Sequence, residues 1–66
     1  PLGLTAKEQE VLSCLKDGLS NREISDRLNR SHRTVEHHVS SILAKLNASN
    51  RTAAILRVQR EPWIVK

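Results

Sequence analysis

One cysteine, two glycines and two prolines in 66 residues leave little room for several classes of protein. The lone thiol, Cys14, cannot close an internal disulfide, so a chain this short must hold itself together by packing. No apolar run approaches the ~18 residues of a membrane span, and no secretory leader opens the sequence. The lone thiol fits a reducing, cytoplasmic setting. Catalytic signatures are missing too. There is no glycine-rich phosphate loop, no pair of acid and base carboxylates and no glycine-flanked serine. Cys14 falls within an apolar helical pattern, where a small core or boundary residue is expected. The chain is too small for a substrate cavity, so neither catalytic residues nor a cofactor are expected. It reads as a non-enzyme.

Strand-like alternation, internal repeats and low-complexity stretches are also absent. What remains is helix signal. An all-α fold of four helices is predicted, over about 6–16, 21–28, 32–46 and 51–60. Thr5-Ala6-Lys7-Glu8 and Ser20-Asn21-Arg22-Glu23 are capping boxes, in which a hydroxyl and a carboxylate each satisfy a free amide. Val11, Leu12 and Leu15 share one face of the first helix, and Gly18 suits its left-handed stop. Ile24 and Leu28 lie one turn apart on the second. Ser31 caps the third, where Val35, Val39, Ile42, Leu43 and Leu46 follow amphipathic spacing before Asn47 ends it. The fourth begins near Asn50 and carries Ala54, Ile55 and Val58, with Pro62 as its stop and Trp63-Ile64-Val65 as an apolar tail. Pro1-Leu2-Gly3 is set aside as linker or cloning remnant, leaving residues 4–66 as one domain. Only Asn29 and Arg30 separate the second helix from the Ser31 cap, so the two helices must cross steeply, as in a helix-turn-helix.

Charge is distributed unevenly. The chain holds 11 Lys and Arg against 7 Asp and Glu, net +4. From Leu4 to Gly18 the balance is slightly acidic, whereas from Leu19 to Lys66 basic residues prevail. A localised basic excess suggests a polyanionic partner, and a merely solvated surface is the plainer alternative.

The third helix bears on the choice. Unrolled at about 100° per residue, it sets Arg33, His37, Ser40, Ser41 and Ala44 opposite the apolar stripe. Glu36 stands at one margin, and Thr34, His38 and Lys45 at the other. Polar side chains at the N-terminal end and small ones beyond are what a recognition helix needs in the major groove. The three histidines do not make a metal site. Helical ligands need i, i+4 spacing, whereas His32, His37 and His38 stand at i, i+5 and i+6 with no second cysteine or acidic cluster. No metal is expected.

The run from Leu4 to about Ala54 resembles the LuxR-type (GerE-like) DNA-binding domain of bacterial transcription regulators. The resemblance rests on Leu4-Thr5 with Glu8 and Glu10, Gly18-Leu19-Ser20-Asn21 with Glu23-Ile24, Thr34-Val35 with His38-Val39, and Lys45-Leu46 followed by Arg51-Thr52. It implies a four-helix domain that binds double-stranded DNA through its third helix and forms a homodimer through its fourth. Base contacts are implied at Arg33, Glu36, His37 and Ser40, and phosphate contacts near Asn21, Thr34 and Lys45. Arg30 replaces a usual aliphatic residue, and its guanidinium is expected to reach outward to phosphate. Glu36 stands where many members carry lysine, which favours a cytosine amino group, and Ala53 replaces a common acidic residue. Ala54, Ile55 and Val58 are the apolar patch expected at the dimer contact. The resemblance further implies RNA polymerase as a partner, a sensor or receiver domain upstream, and a place at the bacterial nucleoid. Plainer roles stay open: an Arg33–Glu36 ion pair on a solvated face, a structural His38, a helix-start Asn21, and Thr5 and Glu8 as caps alone. Two other functions remain as alternatives, a sigma-factor-like promoter reader and a helical protein-interaction module.

Overall fold

A computed structural model describes residues 2–65, so Pro1 and Lys66, counted above with the linker and the basic residues, lie outside the described part. The chain folds as α1 (Ala6–Lys16), α2 (Asn21–Leu28), α3 (His32–Lys45) and α4 (Arg51–Arg60), followed by one 3-10 turn (Pro62–Ile64). The described residues contain no strand. None of their helices is long and apolar enough to cross a membrane.

Each helix begins where its sequence offers a cap. The Glu8 amide donates to Thr5 Oγ1 at 3.1 Å while the Thr5 amide donates back to Glu8 Oε1 at 2.9 Å. Ser20 and Glu23 repeat the exchange at 3.2 and 2.8 Å. Ser31 Oγ accepts from the Thr34 amide, and Asn50 Oδ1 accepts from the Ala53 amide at 2.8 Å, so α4 is capped despite its alanine. The ends of the first three helices are alike. Gly18, Asn29 and Asn47 adopt positive φ of 84°, 53° and 53°. The next residue's amide then folds back onto the helix: Leu19 to Cys14, Arg30 to Ser25, Ala48 to Leu43. An apolar residue usually follows such a stop and covers the core. Leu19 and Ala48 do so, but α2 is followed by Arg30.

Val11, Leu12, Leu15, Ile24, Val35, Ile42, Ala54, Val58 and Ile64 are fully buried, with Cys14, Val39 and Leu46 nearly so. Each large aliphatic side chain so buried contributes about 1.5–3 kcal/mol, which is how 66 residues hold together without a covalent staple. α3 lies at the centre, packed on α1, α2 and α4. Ile64 returns the tail to the core, and Gln9 Nε2 donates to its carbonyl at 2.9 Å. Trp63 stays outside, 54% exposed.

One expectation is corrected here. Ala54 and Val58 are 0% exposed within the single chain, because they face the core. They cannot also form an outer patch. Ile55 is half-buried, and the exposed apolar side chain of α4 is Leu56, at 49%.

Candidate nucleic-acid interface

The turn between α2 and α3 is held from both sides. Arg30 donates its amide to the Ser25 carbonyl at 3.1 Å, and Ser25 Oγ donates to the Arg30 carbonyl. The Arg30 stem is half-buried, and its guanidinium meets Glu10 of α1 at 2.7 Å. The outward reach to phosphate expected of Arg30 is therefore already taken up, since a nearby carboxylate attracts it more closely than solvent does.

On the outer side of α3, His32, Arg33, Glu36, His37 and Ser40 line a shallow, open depression. The four residues expected to meet bases thus share one surface, and His32 joins them, a member the sequence reading had not placed there. All five are exposed. Among the described residues, the side chains of Arg33, His37 and Ser40 make no hydrogen bond or ion pair. Glu36 does have a neighbour, but not the anticipated Arg33. His32 Nδ1 stands 3.5 Å from Glu36 Oε2, one helical turn away, in a contact that is ionic when the imidazole is protonated. Thr34 is exposed at the start of the helix, where its hydroxyl accepts from Ser31 Oγ at 2.8 Å.

The other flank of α3 turns inward. Ser41, placed on the outward face above, is half-buried and donates to Glu8 Oε2. Lys45 Nζ reaches Glu8 Oε1 at 2.7 Å and the Gly3 carbonyl at 2.9 Å. Ser41 lies on the helix flank shared with Lys45, and α1 packs there, so both side chains face a partner helix. Glu8 is more than a cap. Its residue is 4% exposed, and burial pushes its carboxyl up. Hydrogen bonds from Lys45, Ser41 and the Thr5 amide, with the Lys45 charge, outweigh burial and hold it down at about 2.

Asn21 is committed through its side-chain oxygen alone, which leaves its NH2 group to donate. Its Oδ1 accepts from Arg51 Nη1 at 2.5 Å, and Arg51 Nη2 donates to the Leu19 carbonyl at 2.5 Å. Arg57 donates to the Leu46 carbonyl and pairs with Glu61 at 3.1 Å. These two arginines tie α4 to the start of α2, with the turn before it, and to the end of α3. The pairing could not be read along one helix, because the partners lie 30 and 11 residues apart. Among the described residues, no group of three or more His, Cys, Asp or Glu is placed to hold a metal ion.

Comparison with known proteins agrees with this architecture. Residues 2–58 match the family described as bacterial regulatory proteins, luxR family. The chain is 44% identical over 61 residues to the transcriptional regulatory protein DegU of Brevibacillus brevis, covering 92% of this chain and 26% of that protein. It is 44% identical over 52 residues to the DNA-binding transcriptional activator DevR/DosR of Mycobacterium tuberculosis, covering 79% of this chain and 24% of the relative. The crystal structure of ChrA, the response regulator of a heme-sensing two-component system, superposes with a TM-score of 0.83 at 42% identity, covering 91% of this chain and 30% of that one. The chain thus spans about a quarter of the length of these curated relatives. Four helices around a capped α2–turn–α3, and a match that runs from the first turn into α4, agree on one conclusion: the chain belongs to the luxR family of bacterial regulatory proteins, as a helix-turn-helix DNA-binding domain.

Proposed function

We propose that this domain, residues 4–66 with 1–3 as linker, binds double-stranded DNA sequence-specifically by laying the outer face of α3 in the major groove. The observation that carries the reading is the set of free, exposed polar side chains at Arg33, His37 and Ser40 on a helix whose opposite face is core. Arg33 suits the paired acceptors of guanine, Glu36 the amino group of cytosine, and His37 and Ser40 a neighbouring base pair. Thr34, at the N-terminus of α3, and Asn21, at the start of α2, take the phosphate-side positions. Arg30 and Lys45 act one step back, holding the turn and the helix in place through Glu10 and Glu8.

Two copies bind a two-fold related site, paired through the exposed side of α4 around Leu56 and the half-buried Ile55. So small an apolar patch favours pairing on DNA over a stable dimer in solution. No catalysis, metal or cofactor has a part in this reading. The response-regulator relatives support an upstream receiver domain, and contact with RNA polymerase and work at the nucleoid are part of the same proposal. Selection of bound sites from random duplex DNA tests the proposal. Enrichment of a two-fold sequence supports it, and recovery of unselected sequence would return the chain to a protein-interaction role.

A further inference from the structure

A carboxylate on a DNA-reading face repels phosphates, so Glu36 needs something to keep it in place. The depression on α3 contains one group at the right distance, His32, whose Nδ1 lies 3.5 Å from Glu36 Oε2. The alternative partner, Arg33, is equally available by spacing, yet it is left without a partner among the described residues. Those two facts belong together. While His32 holds the carboxylate, the Arg33 guanidinium is free for a base edge. If His32 is removed, Glu36 and Arg33 become each other's nearest opposite charge at i, i+3.

We propose that His32 is a positioning residue for DNA reading: protonated, it holds and neutralises the Glu36 carboxylate, so that Glu36 and Arg33 read separate base positions. The inference rests on the DNA-binding reading above and adds a regulator to it. The depression is lined by α3 alone, so the charged or titratable groups facing His32 are Arg33, Glu36 and His37. With neutral imidazoles, Arg33 and Glu36 cancel and the face carries no net charge. One proton on His32 makes it cationic towards a polyanion. That charge favours every duplex alike, whereas preference for the selected site rises with it because the protonated imidazole keeps Glu36 off Arg33 and leaves each to its own base.

The test compares affinity for the selected duplex with affinity for a scrambled one, at about pH 6 and about pH 8, where a histidine is mostly charged and mostly neutral. The wild-type ratio should be higher at the lower pH, by about twofold if the pair acts as an exposed helical ion pair and by up to about tenfold if the groove excludes water from it. His32→Gln should give a low ratio at both pH values and relaxed preference at the Arg33 and Glu36 positions together. His32→Lys, charged throughout, should keep the high ratio at the upper pH. A His32→Gln protein that retains the wild-type pH response overturns the proposal, as does a wild-type ratio indifferent to pH. Failure to bind any duplex at either pH is a different result. It refutes the DNA-binding reading itself, and the pair with it.

Discussion

Replacing Lys45 with methionine isolates the tie between α3 and α1. The substitution keeps the aliphatic stem and removes the ammonium 2.7 Å from Glu8 Oε1. What remains is a carboxylate with a side chain 6% exposed, still bonded to Ser41 and the Thr5 amide but lacking its counter-charge. Breaking a buried pair by removing one partner costs about 3–5 kcal/mol. Lys45 is 31% exposed, so water screens the contact, and about 1–3 kcal/mol is expected. That is a large share of the roughly 3–10 kcal/mol a domain this size holds in reserve. Glu8→Gln preserves the capping geometry, since glutamine also serves in a capping box, and removes only the charge. Denaturant unfolding followed by circular dichroism would measure both variants and their combination. The double variant should be more stable than the sum of the single losses by about 1 kcal/mol or more. Strict additivity would refute the pair as an energetic unit.

The same pair predicts an acid limb. The Glu8 carboxyl is lowered from 4.5 to about 2, so its contribution is fully present above pH 4.5 and is lost as pH falls from there through about 2. The full shift corresponds to about 3 kcal/mol, which solvent screening brings down to about 1–2 kcal/mol. Wild-type and Glu8→Gln stabilities should therefore converge between pH 4.5 and 2, and parallel curves would contradict the assignment. DNA binding supplies an independent check. A phosphate contact at Lys45 would make the salt slope of Lys45→Met shallower by about one unit. An unchanged slope is expected of a lysine committed to Glu8.

Arg33→Ala should cost about 1–3 kcal/mol at the selected site and relax preference at one base position, read by competition between single-base variants of the duplex. Wild-type affinity should fall with salt, log K against log salt having a slope of about −0.9 for each phosphate the bound protein neutralises; a flat response would remove the electrostatic part of the reading. Val58→Glu should unfold the domain, because it buries an unpaired charge in the core, and loss of the helical circular dichroism signal would report it. Leu56→Glu should leave the fold intact and weaken binding to a double half-site far more than to a single one. Equal losses on both would argue against pairing through α4.

Much of this architecture is legible because its causes are local. A cap joins residues three apart, so Thr5 with Glu8, Ser20 with Glu23, and Ser31 mark the helix starts in the sequence itself. Periodicity works the same way for α3, whose strong apolar stripe leaves one choice of outer face. The shared surface of Arg33, Glu36, His37 and Ser40 follows from that choice. Where the stripe is weak, the reading fails. Ala54, Ile55, Leu56 and Val58 sit almost consecutively on α4, and nothing in their spacing says which side the core will take. Packing against α1 and α3 chose Ala54 and Val58, and left Leu56 outside.

Charged side chains depend on tertiary structure for another reason. A long cation on a helix flank has the same sequence signature whether it meets phosphate or a carboxylate of the same chain. Glu8 lies 37 residues from Lys45, Glu10 lies 20 from Arg30, and Asn21 lies 30 from Arg51. Only docking α1 on α3, and α4 near the start of α2, brings those partners within hydrogen-bond reach. The sequence by itself determined the helices, their caps and the face α3 turns outward, because these follow from contacts within one or two turns. Tertiary structure decided which polar groups remain free for a ligand, because a charge is spent on whichever opposite charge the folded chain brings nearest.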